Sequence, residues 1–283
     1  MRIAHITDIH VERLPGVGEL FNKRAAGVVN LYLLGRSSHF TVQSQGALVA
    51  KVLELAPDLV LCTGDVTATA TEAEFAAARE LFAPLSTRFP FLCIPGNHDV
   101  YTRESVGRYA RYFGSTEPVR SSRHGEIEVV CVDVCHPDWL SRGALGQRGI
   151  TQLDQVLGAS TTPTLVAIHY PLRGRHGNRY GPATRALVDA ADVEAVLVKH
   201  PHVRWVVHGH EHHGYQTAIP REGVPIVSID PGAGGYAYLP ARGRTAHFCV
   251  YPFDGVHLGT VERYQFDGDQ FVPEPGGAFA TGG

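Results

Sequence analysis

Ile3-Ala4-His5-Ile6-Thr7-Asp8-Ile9-His10 is a short apolar run that closes on a carboxylate and an imidazole, two side chains that hold metal ions. Four later stretches repeat the plan. Leu59 to Cys62 leads into Gly64-Asp65, Phe89 to Ile94 into Gly96-Asn97-His98-Asp99, Thr164 to Ile168 into His169, and Val203 to Val207 into Gly209-His210-Glu211-His212. Runs of this length, rich in Val, Ile, Leu and Phe and bounded by Gly, Pro and polar residues, read as buried strands. The ligand types therefore sit at strand ends. Loops leaving the carboxyl edge of a sheet can converge on one point, so residues two hundred positions apart can share a site.

Three oxygen donors (Asp8, Asp65, Asn97) and four imidazoles (His10, His169, His210, His212) are too many for one tetrahedral zinc. They are the right mixture for two first-row divalent ions. With one carboxylate bridging, the set supplies four ligands to each ion and leaves room for solvent and substrate. Two ions roughly 3.5–4 Å apart clamp the attacking and leaving oxygens of a phosphoryl displacement. Singly, each residue reads more blandly: an Asp ending a strand is usually a turn or cap residue, and His98 or His169 alone would be a satisfied structural histidine. The company they keep changes that reading. His208 and His213 flank the last block and are open to reading as extra ligands or outer hydrogen-bond donors, but seven ligands already suffice and neither is placed in the set; His5 reads as packed, and Asp133 ends another apolar run without a partner.

In this order, and over residues 8 to 212, the blocks resemble those of the calcineurin-like metallophosphoesterases. The resemblance implies an α/β fold, a four-layer α/β/β/α sandwich of two facing mixed sheets with helices outside. It assigns Asp8, His10 and His212 to one ion and Asn97, His169 and His210 to the other, with Asp65 bridging. His98 becomes the acid beside the site, and Asp99 the residue that holds its imidazole. The cofactors implied are two divalent ions, manganese first, with iron, zinc and magnesium as the other candidates. The implied reaction is in-line attack of a metal-bridging hydroxide on phosphorus. Gly96-Asn97-His98-Asp99, with the stretch from Asp133 through Gly143-Ala144-Leu145 to Gln152-Leu153, resembles the branch that acts on cyclic nucleotides and small phosphodiesters. A basic apolar segment at 20–40 points instead to enzymes that cleave UDP-2,3-diacylglucosamine, the common bacterial type of which carries Arg where His98 stands. A non-catalytic interaction scaffold is a third reading, disfavoured because every ligand is present.

Composition fits an enzyme with a small phosphoester substrate. The net charge of −3 argues against a dedicated polyanion surface, so no obligatory nucleic-acid partner is expected. Five cysteines, with Cys62 and Cys93 inside strand patterns, read as reduced thiols. A first strand beginning at Arg2 leaves no room for a signal peptide, which places the protein in the cytoplasm or at the membrane periphery.

Helices are expected near 44–55, from the capping-box signature Thr71-Glu72-Ala73-Glu74 to about Leu85, and near 103–113, 151–158 and 184–198. After His212 come short strands, Gly214 to Ile219, Val224 to Ile229, Thr245 to Tyr251 and Val256 to Phe266, read as a second sheet built largely from the C-terminal third. Residues 1–272 form one domain in this reading, with 273–283 a disordered tail. Residues 20 to 53 contain no acid but carry Lys23, Arg24, Arg36 and Lys51 around Phe21, Ala25, Val28, Val29 and Tyr32. Three readings of this segment stay open: a lid over an acyl chain, a helix lying on a lipid or membrane surface, or a helix packed on the sheet. Arg173, Arg175, Arg179 and Arg185, in an acid-free stretch with His176, are candidates, at least one of which is expected to fork the substrate phosphate.

Overall fold

A computed structural model describes residues 1–13, 39–115 and 117–280. The first half runs β1 (Arg2–Ile6), α1 (Val42–Leu55), β2 (Leu59–Cys62), α2 (Glu72–Arg88), β3 (Phe91–Cys93) and α3 (Arg103–Phe113). Then follow β4 (Val119–His124), β5 (Ile127–Val132), α4 (Gly146–Gly158), β6 (Thr164–Ile168), α5 (Ala190–Lys199) and β7 (Val203–Val207). The last third holds β8 (Tyr215–Ile219), β9 (Ile226–Asp230), β10 (His247–Asp254), β11 (His257–Leu258), β12 (Glu262–Phe266) and β13 (Phe271–Pro273).

Two mixed sheets face each other. One has the order β13-β12-β10-β1-β2-β3, with β11 paired to β10; the other runs β4-β5-β6-β7-β9-β8. β1, β2 and β3 are parallel, as are β5, β6, β7 and β9, so the carboxyl ends of each set open on one edge. Period-2 alternation explains why the strands read as unbroken apolar runs. Leu59 and Leu61 of β2 face the other sheet, while Val60 and Cys62 face the helices, and both faces are dry. Ile127, Val129 and Cys131 of β5 and Leu165 and Ala167 of β6 answer them across the inter-sheet core. Phe75, Phe82 and Leu85 of α2 and Leu48 and Val52 of α1 cover the outside of the first sheet, and Leu153, Leu157, Val193 and Leu197 of α4 and α5 cover the second. The four-layer expectation holds, and His5 is packed as expected, between the Tyr251 hydroxyl and the Thr63 hydroxyl at 2.8 Å each.

Several sequence expectations are corrected. The C-terminal strands do not build the second sheet by themselves. β8 and β9 join it, whereas β10, β12 and β13 extend the first sheet, because β1 would otherwise expose an unpaired edge that β10 covers antiparallel. Val256 to Phe266 is two strands, the break falling where the Gly259 N–H turns back to the Pro252 carbonyl at 2.8 Å. The helix read at 184–198 begins only at Ala190, since Asp189 turns its carboxylate to the N–H groups of Leu145 and Gly146. The tail is anchored through Ala280: Glu274 is buried against Arg263 (2.8 Å) and accepts the Phe279 N–H (2.7 Å). Residues 20–38 of the basic apolar segment lie outside the described residues. Among the described residues no helix is long and apolar enough to cross a membrane.

The capping box opening α2 is formed, Thr71 Oγ1 accepting the Glu74 N–H at 3.2 Å and Glu74 accepting the Thr71 N–H at 3.1 Å. Thr71→Ala leaves that buried N–H unpaired and should lower unfolding stability by about 1 kcal/mol. The check is a urea titration, which should show an earlier midpoint at unchanged slope; an unmoved midpoint contradicts the assignment.

Candidate metal centre

The five ligand blocks emerge at the carboxyl ends of β1, β2, β3, β6 and β7, drawing on both sheets. Asp8, His10, Asp65, His210 and His212 hold φ of 53°, 48°, 52°, 78° and 63°. A left-handed backbone costs a non-glycine residue roughly 1–3 kcal/mol, and Asp and His are among the types that tolerate it best. Glycines let the loops interlock. A Cβ on Gly96 would collide with the Asp65 carboxylate, and one on Gly209 with the Asp8 carboxylate and Thr7.

That close approach divides each carboxylate into a held oxygen and a presented one. Asp8 Oδ2 accepts the His210 N–H at 3.0 Å and the Thr7 hydroxyl at 2.9 Å, and Asp65 Oδ1 accepts the His98 N–H at 2.7 Å. The other oxygens face the centre. Asp8 Oδ1 is buried without a hydrogen bond, 3.2 Å from His212 Nε2 and 3.8 Å from His10 Nε2. Asp65 Oδ2 stands 3.7 Å from His10 Nε2 and 3.6 Å from His169 Nε2. Asn97 Oδ1 completes the set, 3.3 Å from His169 Nε2 and 2.9 Å from His210 Nδ1.

The outer nitrogens fix which lone pairs face inward. His169 Nδ1 donates to the Thr63 carbonyl (2.7 Å), His210 Nε2 to the Arg185 carbonyl (2.9 Å), and His212 Nδ1 meets the Tyr236 hydroxyl (3.1 Å). His10 and His212 point Nε2 at each other across 3.1 Å, an arrangement that makes sense for two acceptors sharing a cation. The donors therefore fall into two groups, Asp8-His10-Asp65-His212 and Asp65-His169-His210, with Asp65 common to both. An orphaned buried carboxylate oxygen, converging imidazole lone pairs and a shared Asp fit two divalent ions. Burial alone would raise the Asp65 carboxyl, but the imidazoles of His169, His98 and His10 outweigh it and hold it well below the usual range. Burial would likewise lower His169, yet the Asp65 charge raises it to about 9. His210, buried beside His169, lies well below 6.5.

The residues around the centre depart from expectation at Asp99 and at Arg173, Arg175 and Arg179. Asp99 does not hold the His98 ring. Its carboxylate turns under the loops, accepting the N–H groups of Gly96 (2.9 Å), Val66 (3.2 Å) and Thr67 (2.8 Å) and the Thr67 hydroxyl. The ring is held by the Ala68 carbonyl, 2.7 Å from Nδ1, so the proton His98 can exchange is on Nε2. Arg173 is committed to Glu194, with Nε at 2.7 Å, and Arg175 and Arg179 are exposed outside the cleft that the ligands open into. Arg185 is the arginine in that cleft, a space of about 510 Å³. A larger cavity of about 630 Å³ beside Trp205 and Val256 contains none of these groups. His208 is buried against Ser228 and Asp230 and lies outside both donor groups. Sequence reasoning passed over Tyr236; a Gly-rich run, 232–235, directly after the apolar stretch of β9 is the signal that marks its loop as another strand-end loop.

A family model described as calcineurin-like phosphoesterase matches residues 1–214. A probable cyclic nucleotide phosphodiesterase of Synechococcus sp. is 28% identical over 222 residues, 76% of this chain and 74% of that protein. Among solved structures, a dimetal phosphatase from Danio rerio superposes with a TM-score of 0.63 at 15% identity, over 96% of this chain and 98% of that one. A purple acid phosphatase from yellow lupin, Lupinus luteus, gives 0.64 at 14% identity, over 96% of this chain and 52% of its own. At those identities the two structures speak for the fold alone.

Asp65→Ala should lose more bound metal than His10→Ala or His212→Ala, since it removes a donor from both groups. Elemental analysis of folded, reconstituted variants checks this, and equal metal content in all three contradicts it. Metal uptake should also release a proton. A group raised to about 9 is protonated at neutral pH and must become neutral to bind, so affinity on the His169 side rises roughly tenfold per pH unit and levels off above about 9. Calorimetry in buffers of different ionisation enthalpy measures the proton count; uptake without release between pH 7 and 8 contradicts it.

Proposed function

The chain belongs to the calcineurin-like phosphoesterases, and from that premise we propose that it is a metal-dependent phosphodiesterase acting on small substrates such as cyclic nucleotides. The observation that carries the diester preference is the charge in the cleft. Arg185 is the one arginine or lysine lining it among the described residues, and Glu211 lies 3.4 Å from that guanidinium. Beyond the ions, the described residues lining the cleft supply little positive charge from Lys or Arg, which suits a phosphodiester monoanion better than a monoester dianion. The Synechococcus relative's name points the same way. Of the groups lining the described cleft, only Trp139, Leu140 and Tyr236 offer sizeable apolar surface, which is little for two acyl chains.

Two divalent ions there would supply Lewis-acid polarisation of the phosphoryl group and a water acidic enough to ionise near neutrality. The chain's own groups set the rest. Asn97 turns Oδ1 to His169 and His210, which leaves its Nδ2 to donate to a phosphoryl oxygen. His98, anchored through Nδ1 and lining the same cleft, gives its Nε2 proton to the departing oxygen. Burial of the ligand set keeps bulk water from the held carboxylate oxygens.

With manganese added, bis-p-nitrophenyl phosphate and cyclic AMP should be cleaved faster than p-nitrophenyl phosphate; a dominant monoesterase activity overturns the proposal. His98→Ala should keep both ions. It should lose roughly 10²–10⁴-fold in kcat for an alkyl or ribose leaving group and little for p-nitrophenolate, which needs no proton. Asp99→Asn should instead lose metal or stability with no leaving-group dependence, because it braces loop N–H groups. A uniform loss in His98→Ala across diesters of graded leaving-group pKa excludes the acid role.

A further inference from the structure

Trp139 is 79% exposed, the most exposed large apolar side chain of the described residues, and with Leu140 (49%) it lines the same cleft as Asp65, Asn97 and His210. An indole left in water is costly, and a free tip would fold it away. This turn is fixed instead. Asp138 accepts the Leu140 N–H at 2.6 Å and the Arg142 guanidinium at 2.8 Å, and the Tyr170 hydroxyl donates to the Ser141 carbonyl at 2.6 Å. Tyr170 adjoins His169, so the turn is tied directly to a ligand strand. The backbone on either side of the indole is thus held, and the ring stands at the mouth of a cleft whose other walls are mostly polar.

We infer that Trp139 is the subsite for a planar ring, a nucleobase or aryl group, carried by the substrate beyond its phosphate. A single flat indole in an open polar cleft complements a flat, partly polar ring by stacking; an acyl chain would need an enclosed apolar channel. Arg185 and the ligand set take the phosphate, and the ring reaches outward to the indole. This deepens the phosphodiesterase reading and rests on it, because it takes the phosphate of the ligand to sit at the donor groups.

The test separates ring recognition from turnover. The metal-loaded protein is titrated with AMP and with ribose 5-phosphate, which share the phosphate and sugar and differ by the base. The chain has two tryptophans, and Trp205 is buried between the sheets, so quenching of solvent-exposed indole emission reports Trp139. AMP should bind about tenfold tighter than ribose 5-phosphate and quench that emission. Trp139→Ala should bring the affinity ratio near one, and Trp139→Phe should keep most of it. Equal affinities in the wild-type protein, an unchanged ratio in Trp139→Ala, or tight AMP binding without quenching overturns the inference. Failure to cleave diesters would strike the proposed function and leave this ratio to be read by itself.

Discussion

Asp8 and Asp65 each give one oxygen to a backbone N–H of a different loop and present the other to the centre, and the rest of the site depends on that division. A carboxylate free to rotate would satisfy both oxygens with local N–H groups and present nothing. Here His210 N–H takes one oxygen of Asp8 and His98 N–H takes one of Asp65, so loops from β7 and β3 set the orientation of ligands on β1 and β2. The stitching continues from the Asp8 N–H to the Gly64 carbonyl at 2.9 Å and from the Gly209 N–H to the His169 carbonyl at 3.1 Å. Moving one loop therefore moves a ligand on another.

Such interlocking has a cost that the fold must offset. Five ligand residues sit at positive φ, and Asp8 Oδ1 is buried with no hydrogen bond, each a destabilising feature of about 1–3 kcal/mol. Parallel strands covered on both faces provide the rigid edge that keeps these loops in place. Ions that bind only the folded chain would return part of the cost by mass action. Metal-free protein should accordingly be strained at this edge and sound elsewhere.

Much of this was legible in the sequence because it is local. An apolar run reports a strand buried on both faces, and a ligand type at its end reports a loop at the sheet edge; Asp8, Asp65, His169 and the 209–212 block could be placed at strand ends in this way, and reading them as one set took all five blocks together. What escaped depends on distant contacts. Asp99 beside His98 suggested a pair, but three N–H groups from other positions claim its carboxylate. Arg173 looked like Arg185 until Glu194, on α5, took the first and left the second in the cleft. The division of the C-terminal strands between two sheets is likewise set by which edge of β1 stood open, and no local pattern in those strands encodes it.

The central claim is that Asp65 joins two donor groups into one binuclear centre. Anomalous diffraction from crystals loaded with manganese tests it most directly. The account predicts two peaks per chain, roughly 3.5–4 Å apart, on either side of Asp65 Oδ2, one against His10 and His212 and the other against His169 and His210. A single peak, or two peaks that do not share Asp65, would contradict it.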